Sequence, residues 1–239
     1  MKTGFTKLAN YKLISFDKIP STQEYAHEMV NTGRAADHTA ILAAAQSAGR
    51  GRYSRTWISH HGNLYVSFIF NRANFDGRLA YMVGVAVAAA IAEYGINAKI
   101  KWPNDILIDD KKVSGILIEY SGDFVIIGIG VNITTNPTVN AAYETTRLNN
   151  YADVERMDLL HRIMNKLDIW MNTGFDTVRQ KWNEMSTALG GTIIWRDNTY
   201  KMIELDADGA LILGRDEKIF RVWGDEIQIL SDENHKNSK

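Results

Sequence analysis

Cysteine is absent from the 239 residues. Disulfides, zinc–thiolate centres and cysteine nucleophiles are therefore excluded, and a cytoplasmic setting fits this composition. Net charge is nearly absent too. Against 27 Lys+Arg stand 28 Asp+Glu, a formal charge of -1, so the molecule as a whole has no electrostatic footprint for nucleic acid. Long apolar runs are lacking. The longest, Leu79 to Ala92 between Arg78 and Glu93, is too short to span a bilayer and reads as a buried helix. Met1 to Leu13 has no apolar core of signal-peptide length, so no membrane partner is expected. Internal repeats and low-complexity segments are missing as well. What remains is ordinary globular composition, 45% hydrophobic and 23% charged, enough for one large domain or a main domain with a small one.

Along the chain, Tyr11 to Phe16 predicts a first strand. Ser21 with Glu24 three residues on has the spacing of a capping box, so a helix should start at Ser21 and carry Tyr25, Ala26, Met29 and Val30. Thr39 to Ala45 and Leu64 to Phe70 read as strands. Ile106 to Ile108 and Val113 to Tyr120, flanking the polar Asp109 to Lys112, read as a hairpin. Phe124 to Ile133 predicts another strand, interrupted by Gly128 and Gly130, and glycine inside a strand marks close approach of a ligand or another backbone. Thr134 to Tyr151 reads as a loop. Helical spacing returns from Leu159 to Met171 and from Phe175 to Trp182. Gly190-Gly191 is the best boundary. Beyond it, short strands with turns at Arg196-Asp197-Asn198, Asp208-Gly209 and Gly224-Asp225 predict a small barrel. The expected organisation is a domain over residues 1–189, a second over 190–232, and a disordered tail over 233–239.

Three stretches carry chemistry. Gln46 to Trp57 holds Arg50, Arg52 and Arg55 with Gly49 and Gly51 interleaved. Glycine lets a loop backbone approach a ligand, and arginine recognises carboxylate or phosphate through two parallel bonds. Alone, the loop reads either as an anion cradle or as a solvated basic loop. Lys101-Trp102-Pro103-Asn104-Asp105, followed by Lys112 to Leu117, puts a proline turn where it can aim Asn104 and Asp105 at one point; alone, it is more often an ordinary charged hairpin. Gly128-Ile129-Gly130-Val131-Asn132 lacks the third glycine and following helix of a dinucleotide fingerprint.

Together these stretches resemble the biotin–protein ligase family, in the family's order. Ser21-Thr22-Gln23 matches its helix start, Gln46 to Trp57 its Gly-Arg-Gly-Arg loop, and Lys101 to Asp105 its Lys-Trp-Pro-Asn-Asp segment. Lys112 to Leu117 and Gly128 to Asn132 match the two that follow. The resemblance implies an α+β fold: a mixed β-sheet with packed helices, like class II aminoacyl-tRNA synthetases, plus a C-terminal SH3-like barrel. It implies biotin and ATP as substrates, with Mg2+, and a biotin carboxyl carrier protein domain as acceptor. By that resemblance Ser21, Thr22, Gln23, Gln46, Lys112 and Gly115 would surround biotin, and Arg50, Gly51 and Arg52 would hold its carboxylate and the phosphates. Arg55 would reach the triphosphate, with Asn104 also on the ATP side. Trp57 and Asn132 would frame adenine. Lys112, Arg52 and Asp105 would be catalytic, Lys112 contacting the α-phosphate and Asp105 orienting the incoming lysine or taking its proton.

This chain departs from the family pattern in three places. Ser59 is followed by His60-His61 where serine and proline are usual, Ser54 replaces a common glycine, and Leu230 lies in the segment where some relatives carry an arginine. Some members carry a winged helix and repress transcription; here strand-like sequence from about Tyr11 leaves no room for one, so no DNA binding is expected. A homodimer is compatible with the family. The rivals are a lipoate or octanoate ligase of the same superfamily and a binding protein that kept the scaffold without turnover.

Overall fold

The computed structural model describes residues 4–8, 10–71, 75–137, 144–225 and 227–229. The expected tail and the Leu230 departure lie outside the described residues. The elements are strands β1 (Gly4–Leu8), β2 (Tyr11–Ile19), β3 (Thr39–Gln46), β4 (Leu64–Asn71), β5 (Lys99–Lys101), β6 (Asp105–Ile108), β7 (Lys111–Ser121) and β8 (Phe124–Val131), with helices α1 (Thr22–Asn31), α2 (Leu79–Ala92), α3 (Arg156–Trp170) and α4 (Phe175–Met185). Strands β9 (Thr192–Trp195), β10 (Asn198–Leu205), β11 (Leu211–Arg215), β12 (Lys218–Val222) and β13 (Gln228–Ile229) follow.

The first eight strands form one mixed sheet in the order β1-β2-β3-β4-β8-β7-β6-β5. β2 and β3 run parallel, with α1 connecting them, and the other neighbours are antiparallel. Alternate residues of a strand point to opposite faces, and both faces are apolar. Leu13, Ala40, Leu42, Val66, Phe68, Ile127 and Ile129 join α2 and α3 in the larger core. Ile14, Phe16, Ile41, Ala43, Ile69 and Ile126 join Ala26 and Met29 of α1 in a smaller one. This double burial explains why the strands read as near-continuous hydrophobic runs.

Ser21 caps α1 as its spacing predicts, accepting from the Glu24 amide at 3.4 Å. α2 is buried on nearly every face, with Val83, Val87 and Ala90 among its fully enclosed residues, and it touches both α3 and α4. The expected strand over 124–133 ends earlier, at Val131, because the Asn63 side chain captures the backbone amides of Ile133, Thr134 and Thr135. The turn expected over 109–112 narrows to Asp109 and Asp110, both left-handed at φ 49° and 59°. Two left-handed residues suit the twist of a tight hairpin, and Lys111 and Lys112 thereby become part of β7. β1, the turn at Asp216-Glu217 and the pairing of both were not anticipated from the sequence.

The C-terminal strands form a five-stranded antiparallel sheet in the order β12-β11-β10-β9-β13. Trp102 Nε1 donates to Tyr81 Oη at 3.2 Å, and Tyr81 Oη donates to the Gly209 carbonyl at 2.8 Å. That chain ties the Lys-Trp-Pro-Asn-Asp turn, α2 and the C-terminal sheet together. Trp182 of α4 is fully buried and meets the Tyr81 ring edge-on at 5.6 Å. Trp182→Ala is expected to destabilise the protein by about 3–5 kcal/mol, the usual cost of deleting an enclosed aromatic. Urea unfolding would measure it, and a loss under about 1 kcal/mol would mean that α4 does not anchor the core.

Candidate active site

Pairing register decides what collects on the α1 face of the sheet. Asp105 lies opposite Gly115, Gly115 opposite Gly130, and Gly130 opposite Tyr65, so one row runs across four strands. The next row is Leu117, Gly128 and Ser67, and the third is Glu119, Ile126 and Ile69. The apolar face therefore gives way to glycine, serine and carboxylate as it leaves the small core.

The glycines make room. A Cβ on Gly130 would lie 2.5 Å from Trp57 Cε2, and one on Gly115 would lie 2.9 Å from the same ring. A Cβ on Gly128 would meet Gln23 Oε1 at 2.6 Å. Trp57 reaches this patch because the segment after Gln46 folds back on itself. Gly51 donates to the Arg55 carbonyl at 2.7 Å, Trp57 to Gly49 at 2.9 Å, and Gln46 to Ser59 at 3.1 Å. Tyr53 and Ser54 at the tip are left-handed, at φ 52° and 57°. Tyr65 holds the returning strand through a 2.8 Å bond to the His60 carbonyl. Burial pushes the Tyr65 phenol up to about 12, so it stays a neutral donor at physiological pH.

A polar cluster forms where α1 meets the sheet. Gln46 Oε1 accepts from the Thr22 amide at 2.8 Å and faces the Thr22 hydroxyl at 3.1 Å. Ser67 Oγ lies 2.9 Å from both Thr22 Oγ1 and Gln23 Oε1. Gln46 Nε2 donates to Ser59 Oγ at 2.9 Å. Three oxygen–oxygen contacts thus share only two hydroxyl protons, those of Thr22 and Ser67, so one contact always lacks a donor. The cluster is therefore richer in acceptors than in donors.

Charge gathers beside the glycine patch. Lys112 Nζ approaches Asp105 Oδ1 at 2.6 Å without the direction of a hydrogen bond, so the contact is an ion pair. The same ammonium sits 5.4 Å from the Trp57 ring centre. The Lys112 backbone is pinned between Glu144 and Thr146. Arg52 donates to Asn104 Oδ1 at 3.1 Å and to the Gly224 carbonyl at 3.0 Å, while Asn104 Nδ2 donates to the Ile116 carbonyl. Asn132 Nδ2 donates to the Thr146 carbonyl, but buried Asn132 Oδ1 and Trp57 Nε1 have no partner among the described residues.

The structure therefore brings together Thr22, Gln23 and Gln46, then Lys112, Asp105, Gly115 and Trp57, and then Arg52 with Asn104. Ser21 is spent on capping α1, and Gly51 serves the hairpin. Arg55 is exposed, 5.7 Å from the Tyr53 ring centre. Arg50 turns to Glu119 Oε1 at 3.0 Å. Sequence reasoning missed Ser67, His27 and Glu119. Ser67 and Glu119 interrupt apolar strands, which was the available signal. Burial raises the Glu119 carboxyl, but bonds from Gln23 and His27 and the Arg50 charge outweigh it, and it sits below the ordinary value. The stability those contacts contribute is complete above the ordinary carboxylate value and is lost as pH falls through the lowered one.

The contact of Trp57 with Gly130 is open to a double-mutant test. Gly130→Ala is expected to cost about 1–3 kcal/mol through overpacking, and markedly less in a Trp57→Ala background. Equal costs in the two backgrounds, read from urea unfolding, would rule out the contact.

The sequence profile of the Biotin/lipoate A/B protein ligase family matches residues 15–132. Among curated relatives, the bifunctional ligase/repressor BirA of Bacillus subtilis is 32% identical over 94% of this chain and 76% of its own length. The biotin–[acetyl-CoA-carboxylase] ligase of Paracoccus denitrificans is 32% identical over 72% of this chain and 82% of its own. Among solved structures, the biotin protein ligase of Aquifex aeolicus in complex with biotin and ATP is 30% identical with a TM-score of 0.79, over 91% of this chain and 98% of that one. The glycine patch, the donor-poor cluster and the Lys112–Asp105 pair thus stand on a scaffold shared with those enzymes along most of its length, and the chain belongs to the biotin–protein ligase family.

Proposed function

We propose that the chain activates biotin with ATP, forming biotinyl-5'-AMP and pyrophosphate, and passes the biotinyl group to a lysine of a biotin carboxyl carrier protein domain. The observation that carries this reading is the donor-poor cluster of Thr22, Gln23, Gln46 and Ser67 lying on the same sheet face as Lys112 and Asp105. Biotin's ureido ring supplies N–H donors to such acceptors. Lipoate and octanoate have none, which favours biotin over the rival acids.

In the first step a biotin carboxylate oxygen attacks the α-phosphorus of ATP and pyrophosphate leaves. Both reactants are anions, so positioned cations remove repulsion and stabilise the charge that builds up on the phosphoryl oxygens. Lys112 and Arg52 would supply these cations, Arg50 and Gly51 would help to hold the biotin carboxylate and the phosphates, and Arg55 and Asn104 would lie on the ATP side. Asn132 Oδ1, without a partner among the described residues, is an acceptor suited to an adenine amino group, and Trp57 would offer a ring face. Mg2+ would arrive on the ATP phosphates.

In the second step the acceptor lysine nitrogen attacks the biotinyl carbonyl and AMP leaves. A free lysine has a pKa of about 10.4, so it must lose a proton to attack. Asp105 would orient it or accept that proton once Lys112 has turned to the phosphate. The C-terminal sheet would form a small SH3-like barrel over 190–232, beside a catalytic domain over 1–189. The weak net charge favours ligase activity without DNA binding, and a homodimer is compatible with this reading.

Biotin-dependent pyrophosphate release from ATP, with biotinylation of a carrier domain, is the expected result. Lys112→Ala and Arg52→Ala should each reduce release by about a hundredfold or more while retaining a cooperative unfolding transition. Release with lipoate but not biotin would move the chain to the rival acid, and silence with both would leave a binding scaffold.

A further inference from the structure

Glu119 lies outside the motifs that define the site, yet it makes the shorter of the two bonds that orient the Gln23 amide of the pocket. A glutamine amide can sit either way round, presenting an acceptor or a donor. Gln46 is fixed by the Thr22 backbone amide, which can only donate. Gln23 has no such backbone donor. Its Oε1 faces only the Ser67 hydroxyl, which can give or take a proton, and the space left by Gly128. Two acceptor-only groups set it, Glu119 the nearer: Gln23 Nε2 donates to Glu119 Oε2 at 2.9 Å and, at longer range, to the Ile126 carbonyl at 3.5 Å. An ionised carboxylate can only accept, so it forces the nitrogen outward and the oxygen toward Ser67. The same carboxylate meets His27 Nε2 at 2.9 Å and draws the Arg50 guanidinium onto its other oxygen at 3.0 Å.

We propose that Glu119 is a positioning residue for the acid substrate: it locks the Gln23 amide with its acceptor toward the pocket and anchors Arg50 at the pocket's edge. This rests on the biotin reading, because an acceptor aimed inward matters only for a ligand with N–H groups. Acting through Gln23 and Arg50, Glu119 shapes capture of the acid rather than the chemical step.

The test is steady-state pyrophosphate release at varied biotin, with unfolding curves alongside. Glu119→Gln removes the nearer acceptor-only group and leaves only the long bond to the Ile126 carbonyl to hold the Gln23 amide. It is expected to raise the KM for biotin about tenfold, the change that one lost hydrogen bond makes in an equilibrium constant. Its kcat at saturating biotin should stay within about twofold of the parent. In the exchanged pair Gln23→Glu with Glu119→Gln, the amide on 119 donates to a carboxylate on 23, whose other oxygen again accepts inside the pocket. That pair should recover most of the lost KM, which a merely structural role would not produce. An unchanged biotin KM in Glu119→Gln, a fall confined to kcat, or no recovery in the exchanged pair would overturn the proposal. If Glu119→Gln fails to fold, the exchanged pair decides alone, and failure of both to fold would make Glu119 structural and end the idea. A parent enzyme with no biotin-dependent release would instead end the functional reading on which this one stands.

Discussion

The alternation of facing residues across the central sheet is the constraint on which the rest of the molecule depends. Both faces are covered by helices, so a slip of one residue in any central strand would carry its apolar set out of one core and into the other. The same register that separates Leu13 from Ile14 and Phe68 from Ile69 aligns Asp105, Gly115, Gly130 and Tyr65 in a row. Core and site are two readings of one pairing pattern. The site needs no separate scaffold, because it begins where the apolar rows of the α1 face stop.

Within that site, absence of side chains does as much as their presence. Gly115 and Gly130 leave the sheet surface bare, and the Trp57 ring occupies the space. The ring's position is set from the other side by the hairpin that returns from Tyr53, a segment whose own hydrogen bonds run from Gly51 to Arg55 and from Trp57 to Gly49. Lys112 stands between the two, its ammonium near the ring and paired with Asp105. A cation held this way is partly desolvated, and in the proposed reaction it would leave its partner to serve a phosphate. Letting go of Asp105 would then be part of using Lys112, and it would ready the carboxylate for the amine of the proposed second step.

The polar cluster beneath α1 follows a different logic. Hydroxyls and amides are well buried there, and buried polar groups are costly unless paired. Thr22, Ser67, Gln23 and Gln46 pair with one another almost completely, short by one proton. The near-complete pairing keeps the cluster stable, and the deficit would favour a ligand that brings donors. It depends on both glutamines holding their oxygens inward, which a backbone amide achieves for Gln46 and a carboxylate on the sheet achieves for Gln23.

Much of this was legible in the residues. The cap at Ser21, the buried α2, the runs of β3, β4 and β8, and the motif residues from Gln46 to Asn132 carry local signals of spacing, capping and glycine placement that act within a few positions. Strand ends were less legible: β8 stops at Val131 because Asn63, about 70 positions earlier, supplies an acceptor to the next amides. Ser67, His27 and Glu119 were missed for the same reason, since each is a lone polar residue whose partner is far along the chain. By itself the sequence determined most of the elements, though not β1, and which residue types could meet anions, because capping, periodicity and turn chemistry are local. Tertiary structure alone decided that Arg50 faces Glu119 and that Trp57 covers two glycines, because those choices are set by segments distant in sequence meeting across the sheet.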